Sequence, residues 1–396
     1  MGTLSFLRTA DWFDAERARV YPRLLVLLYA PALIWGYFYA LGPSGAPDFA
    51  SFWAAGRLAW SDPTLSYSPA ALQQLQAWFA PQWQPFANPP PFLVIVAPFG
   101  LLPFAVAFPI WVLGCSILWI SVTRRLIGLV PALAFTPFYI NGAIGQNGLL
   151  TGSMFIAAAC LLSRRPFVAG LLFGLLVIKP HLALLLPIAF LAGGYRRAFY
   201  GAATSSVGAL AGSWTILGPG PFIAFVTGLS AHAGVTLGSA SNTAKMQSVY
   251  AMLAPINYPL AVACQAGTAI VAAVIVIVVW RTSVSALAKC AVLAAATVLA
   301  TPYLYPYDMA LLFLPVAWLI REGREHGFMP WEKATIGLVF VSPLFAHIAG
   351  GYSVVPNLGA LASALLLWRV FHRASRVLGT QTGVRTSAGD PRPSFR

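Results

Sequence analysis

The segment YPLAVACQAGTAIVAAVIVIVVW, residues 258–280, decides the fold class, because its 23 residues include no charged side chain. An apolar run of about 20 residues is long enough to cross the hydrocarbon core of a bilayer as a helix. The whole chain has the same character: 59% of its 396 residues are hydrophobic and 9% are charged, with a mean hydropathy of +0.77. A soluble protein cannot bury so much apolar surface, and continuous apolar runs exclude an outer-membrane barrel. The sequence therefore predicts an all-α, polytopic membrane protein.

The net charge of +14 would indicate nucleic acid as a partner in a soluble protein, but its distribution indicates a membrane topology instead. The Lys and Arg residues fall in short clusters between apolar runs, and positively charged loops stay in the cytoplasm. These clusters are Arg17, Arg19 and Arg23; Arg124 and Arg125; Arg164 and Arg165; Arg196 and Arg197; Arg281 and Lys289; Arg321 and Arg324; and Arg369, Arg373 and Arg376. Both termini are therefore expected in the cytoplasm, and no nucleic acid is expected as a partner.

Placing every cluster on the inner side gives about twelve membrane-spanning helices, with outer loops at 42–90 and 218–257. The expected spans are 24–41, a broken helix at 91–100 with a full span to 123, then 126–140, 147–162, 166–178, 181–193, 198–217, 258–280, 284–300, 307–320, 333–349 and 355–371. If residues 91–123 formed two spans, the membrane orientation of every later span would be reversed. We expect one membrane-embedded domain, residues 1–378, followed by a disordered cytoplasmic tail, 379–396.

Few ionisable residues fall outside the inner loops in this topology. They are Arg57, Lys179 and Lys245 among 24 basic residues, and Asp48, Asp62 and Asp308 among 10 acidic ones. Charges at or near membrane depth are costly, so a functional site is expected among these six.

The first outer loop is expected to carry two amphipathic helices. In the segment FASFWAAGRLAW (49–60), large or small apolar residues recur at helical spacing, which predicts a helix lying along the outer membrane surface. A second helix is predicted over Pro69–Phe79, after a turn at Asp62. Asp48 precedes the first helix, and two roles stay open for it: an N-cap, or a general base at the mouth of the membrane domain.

Six segments occur in an order that resembles the family 87 glycosyltransferases, which include polyprenyl-phosphate-mannose-dependent α-mannosyltransferases with the GT-C membrane fold. The segments are DFASFWAAGR (48–57), SYSP (66–69), NPPPFLVIVAPFGLLP (88–103), GQNGLL (145–150), AGLLFGLLVIKPHLALLL (169–186) and TPYLYPYDMALLFLP (301–315). The resemblance covers about residues 24–320. Asp48 matches the acid that is the proposed general base in such enzymes. Many relatives carry a His pair where this chain has Tyr307 and Asp308, so the role of that pair is not carried over.

The resemblance implies an inverting transfer of a hexose, with mannose as the expected sugar, from a polyprenyl-phosphate donor to a lipid or glycan acceptor. The reaction is expected on the outer face of a bacterial inner (plasma) membrane, with membrane lipids as further partners and no cofactor.

The chemistry of the leaving group leads to further candidate residues. Negative charge grows on the leaving phosphate oxygen, and the chain has no DxD or HExxH motif to hold a metal, so cationic side chains are expected to stabilise it. Arg57 and Lys179 are the candidates for donor phosphate binding, although Arg57 is also placed to reach lipid headgroups. The candidates for sugar or acceptor binding are Gln146, Asn147, His181, Tyr307 and Asp308. A plain turn explains Gln146 and Asn147 equally well, and an ion pair with Lys179 or Arg57 explains Asp308 equally well.

Two other classes of function remain open at this point: a secondary transporter or glycolipid flippase, and a non-catalytic subunit of an envelope assembly. A transporter would favour an inverted repeat with ionisable groups near mid-membrane, and neither is evident in the sequence. The classes differ in whether Asp48, Arg57, Lys179 and Asp308 share one site open to the outside.

Overall fold

The computed structural model describes residues 3–42, 47–79, 83–238, 240–348 and 358–387, and within these ranges it is helical and contains no strand. The all-α prediction is confirmed for this part of the chain. The α-helices, in chain order, are α1 (Thr3–Thr9), α2 (Ala15–Leu41), α3 (Phe49–Leu58), α4 (Pro69–Leu75), α5 (Pro90–Val96), α6 (Phe104–Ile127), α7 (Leu129–Ala134), α8 (Thr136–Ile144), α9 (Gly148–Leu161), α10 (Pro166–Gly174), α11 (Leu186–Gly193), α12 (Arg196–Leu217), α13 (Gly220–Gly238), α14 (Ala240–Lys245), α15 (Val249–Leu253), α16 (Tyr258–Trp280), α17 (Ala286–Ala300), α18 (Phe313–His326), α19 (Glu332–Ile348) and α20 (Leu358–Ser387). Short 3₁₀ segments lie at Pro63–Tyr67, Ala77–Phe79, Ala97–Leu101, Leu175–Ile178, Pro180–Leu182 and Asp308–Leu312.

Helices α2, α6 and α16 are each long and apolar enough to cross a membrane. A fourth candidate is α12 together with the start of α13, which meet at a bend of 116°. Apolar side chains on the long helices point away from the protein: Leu27 is 70% exposed, Ile117 67% and Ile270 65%. Such surfaces fit contact with lipid rather than water. The count of twelve spans stays a prediction, because length and composition identify only these candidates in the described chain.

The predicted break in 91–123 is present. Helix α5 ends at Val96, a 3₁₀ segment follows to Leu101, and α6 then runs for 24 residues from Phe104 to Ile127. Pro103 directly precedes α6. Because proline has no backbone N–H to donate, it cannot continue a helix that comes before it. The chain therefore has one full-length apolar helix in this region, as the interpretation with a broken helix requires.

Helices α10 and α12 touch through glycines. A Cβ at Gly170 would collide with the Ala198 carbonyl, and a Cβ at Gly201 would collide with the Phe167 carbonyl. Small residues on both partners let the two backbones approach closely, which is the usual basis of helix association in membranes. This contact holds α10 against α12. Residues 175–185 follow α10 directly, so the contact also limits where that segment can lie.

Helix α3 was predicted to be amphipathic and to lie along the membrane surface, and this prediction is wrong. Phe49, Phe52, Ala54, Ala55 and Gly56 are all buried, on more than one side of the helix. Ala50, Ala54 and Ala55 lie on the side of the helix away from the aromatic stripe, and this second, small-residue face is buried as well. A Cβ at Gly56 would collide with the Val96 carbonyl, so α3 lies inside the protein against the end of α5.

The region 218–257, predicted as a second outer loop, is largely helical and contains α13, α14 and α15. Helix α13 packs on the 3₁₀ turn of the first outer loop, where the rings of Tyr67 and Phe225 lie 5.9 Å apart. The two predicted outer regions therefore meet at the same end of the molecule.

The N-terminal segment meets the start of α19 elsewhere in the molecule. The Trp331 amide donates to the Arg8 carbonyl at 2.6 Å, and Lys333 Nζ donates to the carbonyls of Ala10 and Phe13. Helix α20 continues to Ser387, so residues 379–387 of the expected disordered tail are helical; the remainder, 388–396, lies outside the described residues.

Candidate functional site

Lys179 occupies a break between two 3₁₀ segments, Leu175–Ile178 and Pro180–Leu182. Pro180 removes a backbone donor and restricts the residue before it, and Lys179 accordingly has an extended φ of −145°. The break turns the Lys179 side chain into the protein, where only 8% of the residue is exposed. A buried ammonium requires partners, and the structure supplies them.

Asp308 is the ionic partner of Lys179. The Nζ of Lys179 donates to Asp308 Oδ1 at 2.6 Å and to Asn147 Oδ1 at 2.8 Å, and it lies 4.7 Å from the centre of the Tyr307 ring. Asp308 is 1% exposed. Sugar binding and an ion pair were both left open as roles of Asp308, and the structure contains the ion pair with Lys179. Breaking such a buried pair leaves an uncompensated charge, so each partner holds the other in place.

His181 adds unsatisfied hydrogen-bonding capacity to this ion pair. Its Nε2 lies 3.8 Å from Asp308 Oδ2, which is too far for a hydrogen bond, and both atoms are buried without a hydrogen-bond partner among the described residues. Buried polar atoms in native proteins are nearly always paired. Two orphaned atoms facing each other here are typical of a site that completes its bonding with a ligand or with water.

Asp48 joins the same group of polar residues through Gln146. The Nε2 of Gln146 donates to Asp48 Oδ2 at 2.8 Å, while its Oε1 accepts from the backbone N–H of Asn147. Asn147 in turn binds Lys179 through Oδ1 and donates through Nδ2 to Asn88 Oδ1 at 3.3 Å. The two amides, adjacent in sequence, therefore connect the carboxylate of Asp48 with the ion pair of Lys179 and Asp308.

The N-cap role considered for Asp48 is wrong. Asp48 has helical dihedrals, and its side chain makes no capping bond to α3. Backbone carbonyls serve instead, since Ala50 N–H donates to the Pro47 carbonyl. The Asp48 carboxylate, half-buried and directed to Gln146, is thus placed for another purpose. Asp62, by contrast, is a cap as expected: its Oδ1 accepts from the Thr64 amide at 2.8 Å.

Two tyrosines lie near the carboxylates of Asp48 and Asp308. The rings of Tyr305 and Tyr307 stack with centres 5.2 Å apart. Burial raises the pKa of the Tyr305 hydroxyl, and the charges of Asp48 and Asp308 raise it further. Both carboxylates are therefore close to one phenol, which stays protonated and able to donate a hydrogen bond.

Sequence reasoning missed three residues of this group: Asn88, Asn141 and Tyr305. Asn141 Nδ2 donates to the Tyr307 carbonyl at 3.0 Å, so it holds the loop that carries Tyr307. Asn88 contacts Asn147 as described. Asn88 and Tyr305 lie in two of the six segments quoted above, 88–103 and 301–315, whereas the sequence signal for Asn141 was an amide inside apolar surroundings.

Arg57 does not join the group. Its Nη1 donates to the Gly100 carbonyl at 3.4 Å, its guanidinium lies 5.8 Å from the Trp53 ring, and its side chain is exposed. Nine residues of helix separate it from Asp48, a rise of about 13 Å. The expected clamp of Arg57 and Lys179 on one phosphate is therefore not preformed.

No three His, Cys, Asp or Glu side chains among the residues described here come together as metal ligands. Metal independence remains a prediction that needs a chelator to test it.

A comparison with known protein families found a match. The family model described as glycosyltransferase family 87 matches residues 86–302, more than half of the chain. The matched range includes Asn88, Gln146, Asn147, Lys179 and His181, and it leaves out Asp48, Arg57 and Asp308. No curated protein and no solved structure matches the chain.

Proposed function

The chain belongs to glycosyltransferase family 87, and from that premise we propose that it transfers a hexose from a polyprenyl-phosphate donor to a lipid or glycan acceptor. We propose mannose as the sugar and the extracytoplasmic face of a bacterial inner membrane as the location. The family and the apolar helices α2, α6 and α16 make it a membrane glycosyltransferase.

The observation that carries the proposal is the continuous set of polar contacts from Asp48 through Gln146 and Asn147 to Lys179 and Asp308. It contains a carboxylate with access to solvent, a buried cation, and amide and imidazole groups able to bind hydroxyls. These are the components that a sugar transfer without a metal requires.

In the proposed reaction Asp48 acts as the general base. It accepts the proton of the acceptor hydroxyl while that oxygen forms a bond to the anomeric carbon of the donor. The bond from that carbon to the phosphate oxygen breaks, and its electron pair leaves with the polyprenyl phosphate. Attack opposite the leaving group inverts the anomeric configuration. Gln146 orients Asp48 by donating to Oδ2 of its carboxylate.

The remaining residues are proposed to bind the donor. His181, Tyr307 and Asp308, with the Asn147 amide, would offer sugar hydroxyls both donors and acceptors. Lys179 is proposed to oppose the charge of the donor phosphate, although Asp308 already offsets much of its own charge. Arg57 is exposed, so we propose that it binds the phosphate when the donor lies along α3.

The test is an assay of the purified full-length protein with labelled polyprenyl-phosphate mannose and a membrane extract as the source of acceptor. We expect a labelled product with the wild-type protein, and a loss of about 10²- to 10⁴-fold in turnover with Asp48→Asn, which keeps the shape but removes the base. Binding of the donor should persist in that variant. Normal turnover in a folded Asp48→Asn protein would contradict the base, and label that crosses the membrane without covalent transfer would indicate a flippase.

A further inference from the structure

A second concentration of charge lies at the opposite end of α18. This helix follows the 3₁₀ segment that begins at Asp308 and runs from Phe313 to His326, and its 14 residues span about 20 Å. The turn that follows, Met329–Trp331, is therefore separated from the polar group around Lys179 by most of the thickness of a bilayer. This is the end of the molecule predicted to face the cytoplasm.

A cavity of about 550 Å³ opens at this end, between α1, the Met329–Trp331 turn and α20. Its lining includes Arg8, Trp331, Trp368, Arg369, His372 and Arg376. Of the described residues that line it, three carry a guanidinium and none is acidic. The guanidiniums belong to two helices that are distant in sequence, so the charge is gathered by the fold.

Arg369 is buried at the cavity, and not all of its N–H donors are used by the described residues. Only 3% of the residue is exposed, its Nη1 donates to the Pro330 carbonyl at 3.0 Å, and its guanidinium lies 4.3 Å from the centre of the Trp368 ring. The Nε is buried and has no hydrogen-bond partner among the described residues. A buried guanidinium with an unused N–H is costly unless an acceptor is supplied.

The neighbouring carboxylate does not supply that acceptor. Glu332 Oε2 accepts from Arg373 Nη1 and from the Met329 amide, each at 2.8 Å, and its Oε1 has no donor within the described part of the chain. Glu332 is therefore the hydrogen-bonded partner of Arg373. Burial lowers the pKa of His372, and Arg369 and Arg376 lower it further, so this imidazole is neutral at pH 7 and offers a hydrogen bond without adding charge.

We propose that this cavity binds a phosphate group, held by Arg8 and Arg369 with Trp331 and Trp368 around it. Guanidinium donors match phosphate oxygens in geometry and charge, and basic pockets between membrane helices on the cytoplasmic side are suited to anionic headgroups. The site is separate from the proposed transfer site and does not depend on it. The phosphate belongs either to an anionic phospholipid of the inner leaflet or to a soluble phosphate compound.

The experiment measures binding to the purified full-length protein in a neutral detergent, with three probes: phosphatidylglycerol, phosphatidylcholine and inorganic phosphate. Native mass spectrometry reports bound lipid, and the shift of the thermal unfolding midpoint reports phosphate. The variants are Arg8→Gln, at an exposed position, and Arg369→Lys, which keeps the charge but removes the Nε donor. Arg164→Gln makes the same charge change at an exposed position outside the cavity.

We expect phosphatidylglycerol to bind and phosphatidylcholine to bind weakly. Both cavity variants should weaken phosphatidylglycerol binding by about 10- to 100-fold, the loss expected for a charge-assisted hydrogen bond, while Arg164→Gln should bind like the wild type. Binding of inorganic phosphate with the same variant pattern, without lipid preference, would support the site and identify the soluble source. Failure of both phosphate probes, or an equal loss in Arg164→Gln, would overturn the proposal.

Discussion

At the scale of single residues, the site depends on Lys179, a buried cation that is surrounded by interaction partners. Lys179 has a carboxylate, an amide oxygen and an aromatic face around its ammonium group. Such a residue has two functions that a single substitution would confound: it holds Asp308 in place, and it is proposed to oppose the donor phosphate. The two functions separate when both partners are neutralised together.

We predict that Lys179→Met lowers the free energy of unfolding by about 3–5 kcal/mol, because Asp308 is left buried without a counter-charge. The double variant Lys179→Met, Asp308→Asn should recover most of that loss and remain inactive. Unfolding midpoints in detergent, read together with turnover, measure both effects. Lys245→Met, at an exposed lysine, is the matched control and should be neutral. A double variant as unstable as the single one would show that the pair is not coupled.

Arg57 poses a different question at this scale, since it lies on the exposed side of α3, away from Asp48. We predict that Arg57→Lys raises KM for the donor, because an ammonium cannot reproduce the two parallel hydrogen bonds of a guanidinium to phosphate. Turnover at varied donor, with excess chelator present throughout, provides the measurement. If Arg57 only reaches lipid headgroups, lysine replaces it fully and KM is unchanged. Loss of wild-type activity in chelator would contradict metal independence.

At the scale of elements, the position of Asp48 depends on how closely α3 approaches the end of α5. The contact is backbone to backbone: Gly56 faces Val96, and Gly100 faces the Gly56 and Arg57 backbone. Because α3 carries Asp48 at its first turn, any shift of this helix moves the carboxylate away from Gln146. The close backbone contact at Gly56 and Gly100 is therefore part of what positions the base.

We predict that Gly56→Ala destabilises the protein by about 1–3 kcal/mol, as expected for overpacking, and lowers turnover by displacing α3. Gly114→Ala is the control, since a Cβ at Gly114 on α6 meets nothing within 4 Å. Alanine there should be neutral or stabilise by up to about 1 kcal/mol. Equal midpoints and equal turnover for the two variants would refute the role of this contact.

At the scale of the whole molecule, the two regions predicted to lie outside meet at one end, where α13 packs on the Pro63–Tyr67 turn. The basic cavity lies beyond the far end of α18. A single orientation in the membrane therefore accounts for an outward transfer site and an inward basic cavity together. The positive-inside distribution predicts which end is which.

We predict that, in a variant without the native cysteines, a cysteine at Gln73 is labelled by an impermeant thiol reagent from outside. A cysteine at Arg164 should be labelled only after the membrane is opened. Both positions are exposed in the structure. Labelling of both from the same side would overturn the topology, and with it the location of the proposed site.

The amino-acid sequence by itself determined the membrane class, the family resemblance and some helix borders, such as those of Tyr258–Trp280 and Gly148–Leu161. These features follow from local hydropathy and from residues such as proline, which act over a few positions. Asp48, Lys179 and Asp308 were also identifiable, because charges are rare and costly in such a chain.

Only the tertiary structure decided which of these residues meet. The contact of Asp48 with Gln146 spans 98 positions and that of Lys179 with Asp308 spans 129, so no local pattern encodes them. The burial of α3, the separation of Arg57 and the gathering of Arg8 with Arg369 likewise depend on how distant helices pack. Local periodicity states which face of a helix is apolar, but whether lipid or another helix covers that face is settled by the fit of small residues between backbones.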